Sequence, residues 1–256
     1  VNANEGYTYI PLILPIKYVV IYNQMDFVYI CRNGPNEELR YSIRSLYANT
    51  KVNSIWIVGG KPDWYRGKYI PVEQDQTKYL NAQNNLKTII NSNKIPDKFV
   101  LMNDDFYVIK PLTSIPVYHG GSLHDKAIKF KKHRPGLYAR QLEQTVKLLK
   151  ENGVQNPLDY AIHVPMTIHK ENFEFAVSLG GSIRSVYGNM NRIGGHRLPV
   201  DDVKVHPARI GYPKRFDYKT NEFDLPFLST SDATFKQVHR DFLGQFDKPS
   251  KLELIY

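Results

Sequence analysis

Phe99-Val100-Leu101-Met102-Asn103-Asp104-Asp105-Phe106-Tyr107-Val108-Ile109 sets two adjacent carboxylates between two apolar runs. Four apolar residues on either side predict two neighbouring buried strands joined at the acidic pair. Two like charges beside a buried strand repel and lose hydration unless a cation or a positive group compensates them. A hard divalent ion does this, and Mg²⁺ is commonly held by one or two carboxylates together with substrate phosphate oxygens. Asn-Asp-Asp is also good turn chemistry, so an exposed turn is the competing reading.

Working outward, Asp26 to Cys31 reads as a strand, and Asn36 caps a helix in which Leu39, Ile43 and Leu46 fall at helical spacing. Ser54 to Val58 reads as a strand ended by Gly59-Gly60, and Tyr79, Leu86 and Ile90 mark a second helical stripe before Pro96. Strand, helix, strand, helix, strand predicts an α/β fold with a mostly parallel, Rossmann-like sheet, whose ligands bind beyond the carboxyl ends of the strands. After Pro111 the rhythm changes to Pro- and Gly-rich connections with helices. Leu142, Val146 and Leu149 mark one, ended by Gly153; Phe235, Val238, Phe242 and Phe246 mark another, with Ser231 and Asp232 as capping candidates. No internal repeat or flexible linker is visible. The expectation is one domain over 1–256, with a ligand-binding half at 1–111 and a helical elaboration at 112–256.

The chain has 256 residues, 42% of them hydrophobic, enough for a packed core. Its single cysteine, Cys31, lies in an apolar run and reads as a buried small residue, consistent with a reducing, cytoplasmic compartment. The longest apolar stretch, Tyr9 to Tyr22, is broken by Pro11, Pro15 and Lys17 and does not read as a membrane span. A formal charge of +9 points to a polyanionic partner, an anionic cosubstrate or a basic solvated surface. Its densest patch, Lys126 to Arg134, reads as a loop or edge segment. Lys131, Lys132 and Arg134 are candidate phosphate contacts there, or a solvated cluster.

Arg40 and Arg44, four apart on the first helix, suit phosphate binding or surface pairing with neighbours such as Glu37. His163 interrupts an apolar segment as a candidate general base or a hydrogen-bonded structural residue. Tyr187 to His196 is Gly- and amide-rich and reads as a binding loop or a long connection. Asp201-Asp202, near Lys204, repeats the acidic pair; Asp202 is a candidate base, an exposed turn the alternative. Gly-x-Ser-x-Gly, a Walker loop and Gly-x-Gly-x-x-Gly are absent, which argues against a serine hydrolase, an ordinary kinase and a Rossmann dehydrogenase.

Taken together, Asp26-Phe-Val-Tyr-Ile30, Asn36-Glu-Glu-Leu-Arg-Tyr-Ser-Ile-Arg-Ser-Leu46, Phe99 to Phe106, and His163-Val-Pro165 with Lys170 resemble the conserved blocks of the Stealth family of sugar-phosphate transferases. Pro226 to Asp232 and Lys248 to Glu253 are similar to glycosyltransferase-like proteins of bacteriophages. The resemblance implies a GT-A-like domain using Mn²⁺ or Mg²⁺ and a nucleotide-sugar donor such as a UDP-sugar. It places Arg40 and Arg44 on the donor side, Asp104 and Asp105 near the metal and diphosphate, and His163 near the transferred group; Asn103 on the donor side, and Asp202 and Asp232 at the reacting groups, are further candidates. Tyr29-Ile-Cys-Arg-Asn-Gly34 departs from the family's Tyr-Thr-Trp-Val-Asp-Gly-like block, and both glycosyl and sugar-phosphate transfer stay open. The basic balance and the phage-like block favour a hydroxymethylated DNA base as acceptor, met by Lys131, Lys132 and Arg134, with protein or glycan hydroxyls as alternatives. A metal-dependent phosphoesterase and a non-enzymatic nucleic-acid-binding module are the remaining readings.

Overall fold

A computed structural model describes residues 24–207 and 216–254. The apolar stretch from Tyr9 to Tyr22 lies outside them. Among the described residues no helix is long and apolar enough to cross a membrane.

The fold is α/β, with a mostly parallel sheet at its centre. Strands β1 (Met25–Cys31), β2 (Val52–Gly59), β3 (Lys68–Pro71) and β4 (Lys98–Asn103) run parallel, and β7 (Met166–His169) closes one edge antiparallel to β4, in the order β3-β2-β1-β4-β7. Side chains alternate across the strands. Phe27, Tyr29 and Cys31 of β1, Ile55 and Ile57 of β2, and Val100 and Met102 of β4 face one core, where helix α1 (Glu37–Asn49) contributes Leu39, Ile43 and Leu46. Val28, Trp56, Val58, Phe99 and Leu101 face the other. Helices α2 (Lys78–Asn91) and α5 (Lys170–Leu179) cover that second face. Burying each of the three α1 side chains contributes roughly 1.5–3 kcal/mol.

The connection from β1 through α1 leads to β2 on one side of β1, and β4 lies on the other. The carboxyl ends of β1 and β4 therefore flank the point where strand order reverses, the usual ligand crevice of an open α/β sheet. Ile30 is in register with Asn103, so the acidic turn sits at that crevice. Gly59 is required beside it: its φ is +119°, and a Cβ there would strike the Cys31 carbonyl oxygen.

Several elements differ from expectation. Strand β5 (Phe106–Val108) does not join β4 in the main sheet; it pairs antiparallel with β9 (Phe227–Ser229), so the chain leaves the sheet at Asp104-Asp105. Strand β3 is short and ends at Pro71, which hides an edge strand from pattern reading. Tyr79 is exposed, and α2 buries Asn85, Leu86 and Ile89.

The basic segment is a helix rather than a loop: α3 (Leu123–His133) is capped by Ser122, whose Oγ accepts from the Asp125 amide, and buries Leu123 and Ala127 one turn apart. It packs on α4 (Leu137–Glu151), which buries Leu142, Val146 and Leu149 as expected. Tyr187 to Met190 is the end of helix α6 (Ile183–Met190) rather than a loop. Two-residue strands β6 (Tyr118–His119) and β8 (His196–Arg197) pair in parallel. Helix α7 (Asp232–Asp241) begins in a capping box between Ser231 and Thr234 and is followed by a 3₁₀ turn over Leu243–Phe246.

Candidate functional site

Four carboxylates from distant segments meet at the crevice. Asn36 adopts a left-handed conformation (φ 46°) that Asn tolerates better than most residues, and does two jobs there. Its Oδ1 accepts from the Leu39 amide at 3.1 Å, capping α1, while its Nδ2 donates to Asp104 Oδ2 at 2.7 Å. Glu38, buried on α1, accepts at Oε1 from the Thr230 hydroxyl at 2.6 Å. Arg32, just beyond β1, reaches Asp232 Oδ1 at 2.6 Å and lies 3.9 Å from both Glu38 Oε2 and Asp104 Oδ2. Lys204 Nζ donates to Asp105 Oδ2 at 2.6 Å. The strand pairing beyond the turn holds the cluster together: the Thr230 amide donates to the Asp105 carbonyl, and the Tyr107 and Thr230 hydroxyls bond at 2.9 Å.

The electrostatics follow from this crowding. Burial raises Asp104, and the Asp105 charge raises it further. Burial pushes Glu38 up to about 7, with Asp105, Asp104 and Asp232 acting in the same direction against the Thr230 hydrogen bond. Asp232 is instead lowered, chiefly by its hydrogen bond from Arg32.

Whether these residues suit a divalent ion is decided by charge and unmet bonding. Asp104, Asp105 and Asp232 face two directly paired cations, Arg32 and Lys204, beside a Glu38 carboxyl raised to about 7, and the buried Asp105 Oδ1 has no hydrogen-bond partner. Among the described residues no three Asp, Glu, His or Cys side chains are already spaced as a closed metal site. The set fits an ion held by Asp104 and Asp105 and completed by substrate phosphate oxygens, the usual arrangement for Mg²⁺.

Beyond the acidic turn opens a cavity of about 590 Å³, whose lining includes Asn103, Phe106, Lys126, Tyr138, His163 and Arg184. His163, at φ 54°, points Nδ1 at Asp202 Oδ2, 2.6 Å away. Burial alone would raise the Asp202 carboxyl; the His163 charge and hydrogen bond outweigh it and hold the group well below the usual carboxylate range. Lys204 donates its amide to Asp202 Oδ1 at 3.1 Å, so one residue contacts both the dyad and Asp105. Arg184 lies over the Phe106 ring, 5.2 Å from its centroid, and donates to Asn103 Oδ1 at 3.1 Å. Asn103 thus stands between the acidic turn and the cavity.

The expected site residues divide into groups. Asn103, Asp104, Asp105 and Asp232 lie at or beside the crevice, and His163 and Asp202 form one hydrogen-bonded pair. Arg40 and Arg44 are not brought there. Two positions on from Glu38, Arg40 points away from it around the helix. Arg40 pairs with Glu37 and Glu253 while stacking on Trp64; Arg44 pairs with Glu253 at 2.7 Å. The surface-pairing reading describes Arg40 in part, and the buried partner Glu253 was not foreseen. Lys131 pairs with Glu143, and Arg134 lines the cavity. Arg32, Glu38, Thr230 and Arg184 escaped sequence reading. Glu38 and Thr230 lay within stretches singled out above, yet only tertiary packing turns their side chains to the site.

No protein-family model matches the chain, and no curated protein matches it in sequence. Among solved structures, an active-site mutant of LgtC is similar over 87% of this chain and 95% of its own, at 12% identity and a TM-score of 0.46. The galactosyltransferase LgtC in complex with donor and acceptor sugar analogs is similar over 89% of this chain and 98% of its own, at 12% identity and a TM-score of 0.46. The glycosyltransferase GlyE of Streptococcus pneumoniae TIGR4 is similar over 69% of this chain and 45% of its own, at 10% identity and a TM-score of 0.36. At such values no residue here inherits a role from these proteins.

Proposed function

We propose that the protein is a divalent-cation-dependent transferase that moves a sugar from a nucleoside-diphosphate sugar, of the UDP-sugar kind, to an acceptor hydroxyl. The observation that carries this reading is the position of Asn103, with the acidic turn of the crevice and its unpartnered Asp105 Oδ1 on one side and the cavity of the His163–Asp202 pair on the other.

Asp104 and Asp105 would hold Mn²⁺ or Mg²⁺, which supplies neutralising charge to a diphosphate. Asp202 keeps the Nδ1–H tautomer of His163, leaving Nε2 to take the proton of an acceptor hydroxyl. The acceptor oxygen then bonds to the anomeric carbon as the bond from that carbon to the diphosphate oxygen breaks, and the diphosphate leaves with the electron pair. Phe106, Phe130 and Tyr138 form the cavity's aromatic lining, which favours water exclusion. Asp232, through its fork with Arg32, orients that guanidinium towards Asp104.

Calorimetric titration of a nucleotide-sugar panel, with and without Mn²⁺ or Mg²⁺, tests the reading on wild type and Asp105→Asn. Cation-dependent binding of one donor, lost in the variant, is expected; a folded wild type that binds none overturns it.

A second reading, sugar-1-phosphate transfer, draws support from the His163-Val-Pro block that now belongs to the dyad. The two leave different products: glycosyl transfer releases nucleoside diphosphate, and sugar-phosphate transfer releases nucleoside monophosphate, which ³¹P NMR separates. A hydroxymethylated base in DNA is the acceptor proposed, with Arg134 on the cavity lining and Lys132 in the last turn of α3. Binding to such DNA that weakens steeply with salt, and exceeds binding to other polyanions, is the expected result.

A further inference from the structure

Arg184 is a half-buried cation whose nearest partners are all neutral. Its Nη1 donates to the Val164 carbonyl at 3.1 Å, and its Nη2 to Asn103 Oδ1 at 3.1 Å and, at 3.4 Å, to the Leu101 carbonyl. Among the described residues no carboxylate lies within ion-pair distance of it, and its Nε–H meets no acceptor. Burial pulls its pKa down to about 10, and the Asp105 charge offsets only part of that. Asp105 itself is in contact with Lys204.

The rest of the cavity makes the contrast plain. Lys126 is neutralised by Asp159 at 2.5 Å, Lys129 by Asp201 at 2.8 Å, and His163 by Asp202. Arg197, also on the cavity wall, has no carboxylate within ion-pair distance among the described residues. A guanidinium fixed by neutral acceptors on a cavity wall and stacked on an aromatic ring leaves its charge open to an anion in the cavity. The planar fork suits phosphate oxygens.

We propose that the Arg184 wall of this cavity is a phosphoryl-binding site, with Arg184 as its fixed donor and Arg197 as a second cation. The bound group is either a phosphate of the nucleotide donor or a phosphate carried by the acceptor. That choice rests on the transferase reading; phosphate binding itself does not.

The test uses inorganic phosphate, titrated calorimetrically into the full chain, with thermal melting of wild type, Arg184→Met and Arg184→Lys. Phosphate is expected to bind wild type and raise its melting temperature. In Arg184→Met the affinity falls at least about tenfold, and the melting temperature in phosphate-free buffer reports whether the fold survives the loss of its three hydrogen bonds. Wild type that binds no phosphate, or a folded Arg184→Met that binds phosphate as wild type does, overturns the proposal. Should the Met variant fail to fold, Arg184→Lys decides: weaker phosphate binding on a native fold is expected, and unchanged affinity overturns the proposal. Saturating UDP with Mg²⁺ then separates the sources. Displacement of phosphate assigns the site to the donor, and simultaneous binding assigns it to the acceptor. If neither UDP nor any nucleotide-sugar of the panel binds, the transferase reading fails while the phosphate result stands.

Discussion

The ammonium of Lys204 sits 2.6 Å from Asp105 Oδ2, with both side chains mostly shielded from solvent. Removing one member of such a pair leaves the other as an uncompensated charge, at a cost of about 3–5 kcal/mol. Lys204→Met is therefore expected to lower the melting temperature in chelator and to regain much of the loss in Mn²⁺, since the freed carboxylate then takes up the ion. Melting curves of wild type and variant, each with and without Mn²⁺, check this; equal Mn²⁺ responses count against it.

Glu38 makes the fold sensitive to pH near neutrality. Its folded carboxyl keeps a proton up to about pH 7, whereas the ordinary value is 4.5, so the native state binds more protons between those limits. Stability therefore falls as pH rises through that window, by about 3 kcal/mol from this group. Glu38→Gln is expected to flatten the profile and to melt higher than wild type at pH 8. Denaturant unfolding at several pH values from 5 to 8 measures both effects.

Glu253 has the opposite sign. Arg44, Arg40 and the Ser250 amide outweigh the effect of burial and hold its carboxyl down at about 2. Its contribution is present above the ordinary carboxylate range and is lost as pH falls towards 2. Glu253→Gln is expected to cost about 3–5 kcal/mol at pH 7 while leaving Mn²⁺ and nucleotide affinity unchanged. A calorimetric loss of donor binding with the fold intact would return Arg40 and Arg44 to the donor side.

Asp202→Asn removes the charge that orients His163. Turnover is expected to fall by roughly 10²- to 10⁴-fold, the usual worth of a positioned acid–base group, with donor affinity unchanged. Single-turnover rates beside calorimetric affinities distinguish this from loss of binding.

The parallel sheet was legible because β1, β2 and β4 are short apolar runs separated by helical patterns, and their central position buries both faces. Asn103 to Asp105 was legible because the polar turn interrupts apolar runs. Helix α3 was hidden because its buried side is narrow, resting on Leu123 and the small Ala127 amid lysines. The dyad partners lie 39 positions apart, and Arg32 meets Asp232 across 200 positions. The antiparallel pairing of β5 with β9 carries Asp232 towards the crevice, and local spacing encodes neither contact. Arg184 carried no sequence signal at all, since only its neutral surroundings set it apart from other arginines.

That pairing also ties the crevice to a distant stretch of sequence. Residues from Arg32 to Asp232 share one acidic cluster, so a chain still lacking the segment from Phe227 onward has every strand of the main sheet but neither the Thr230 donor to Glu38 nor Asp232 opposite Arg32. Such a chain also lacks Phe227, Leu228, Val238, Leu243 and Phe246 from the core under α1, so one and the same stretch of sequence completes both that core and the crevice.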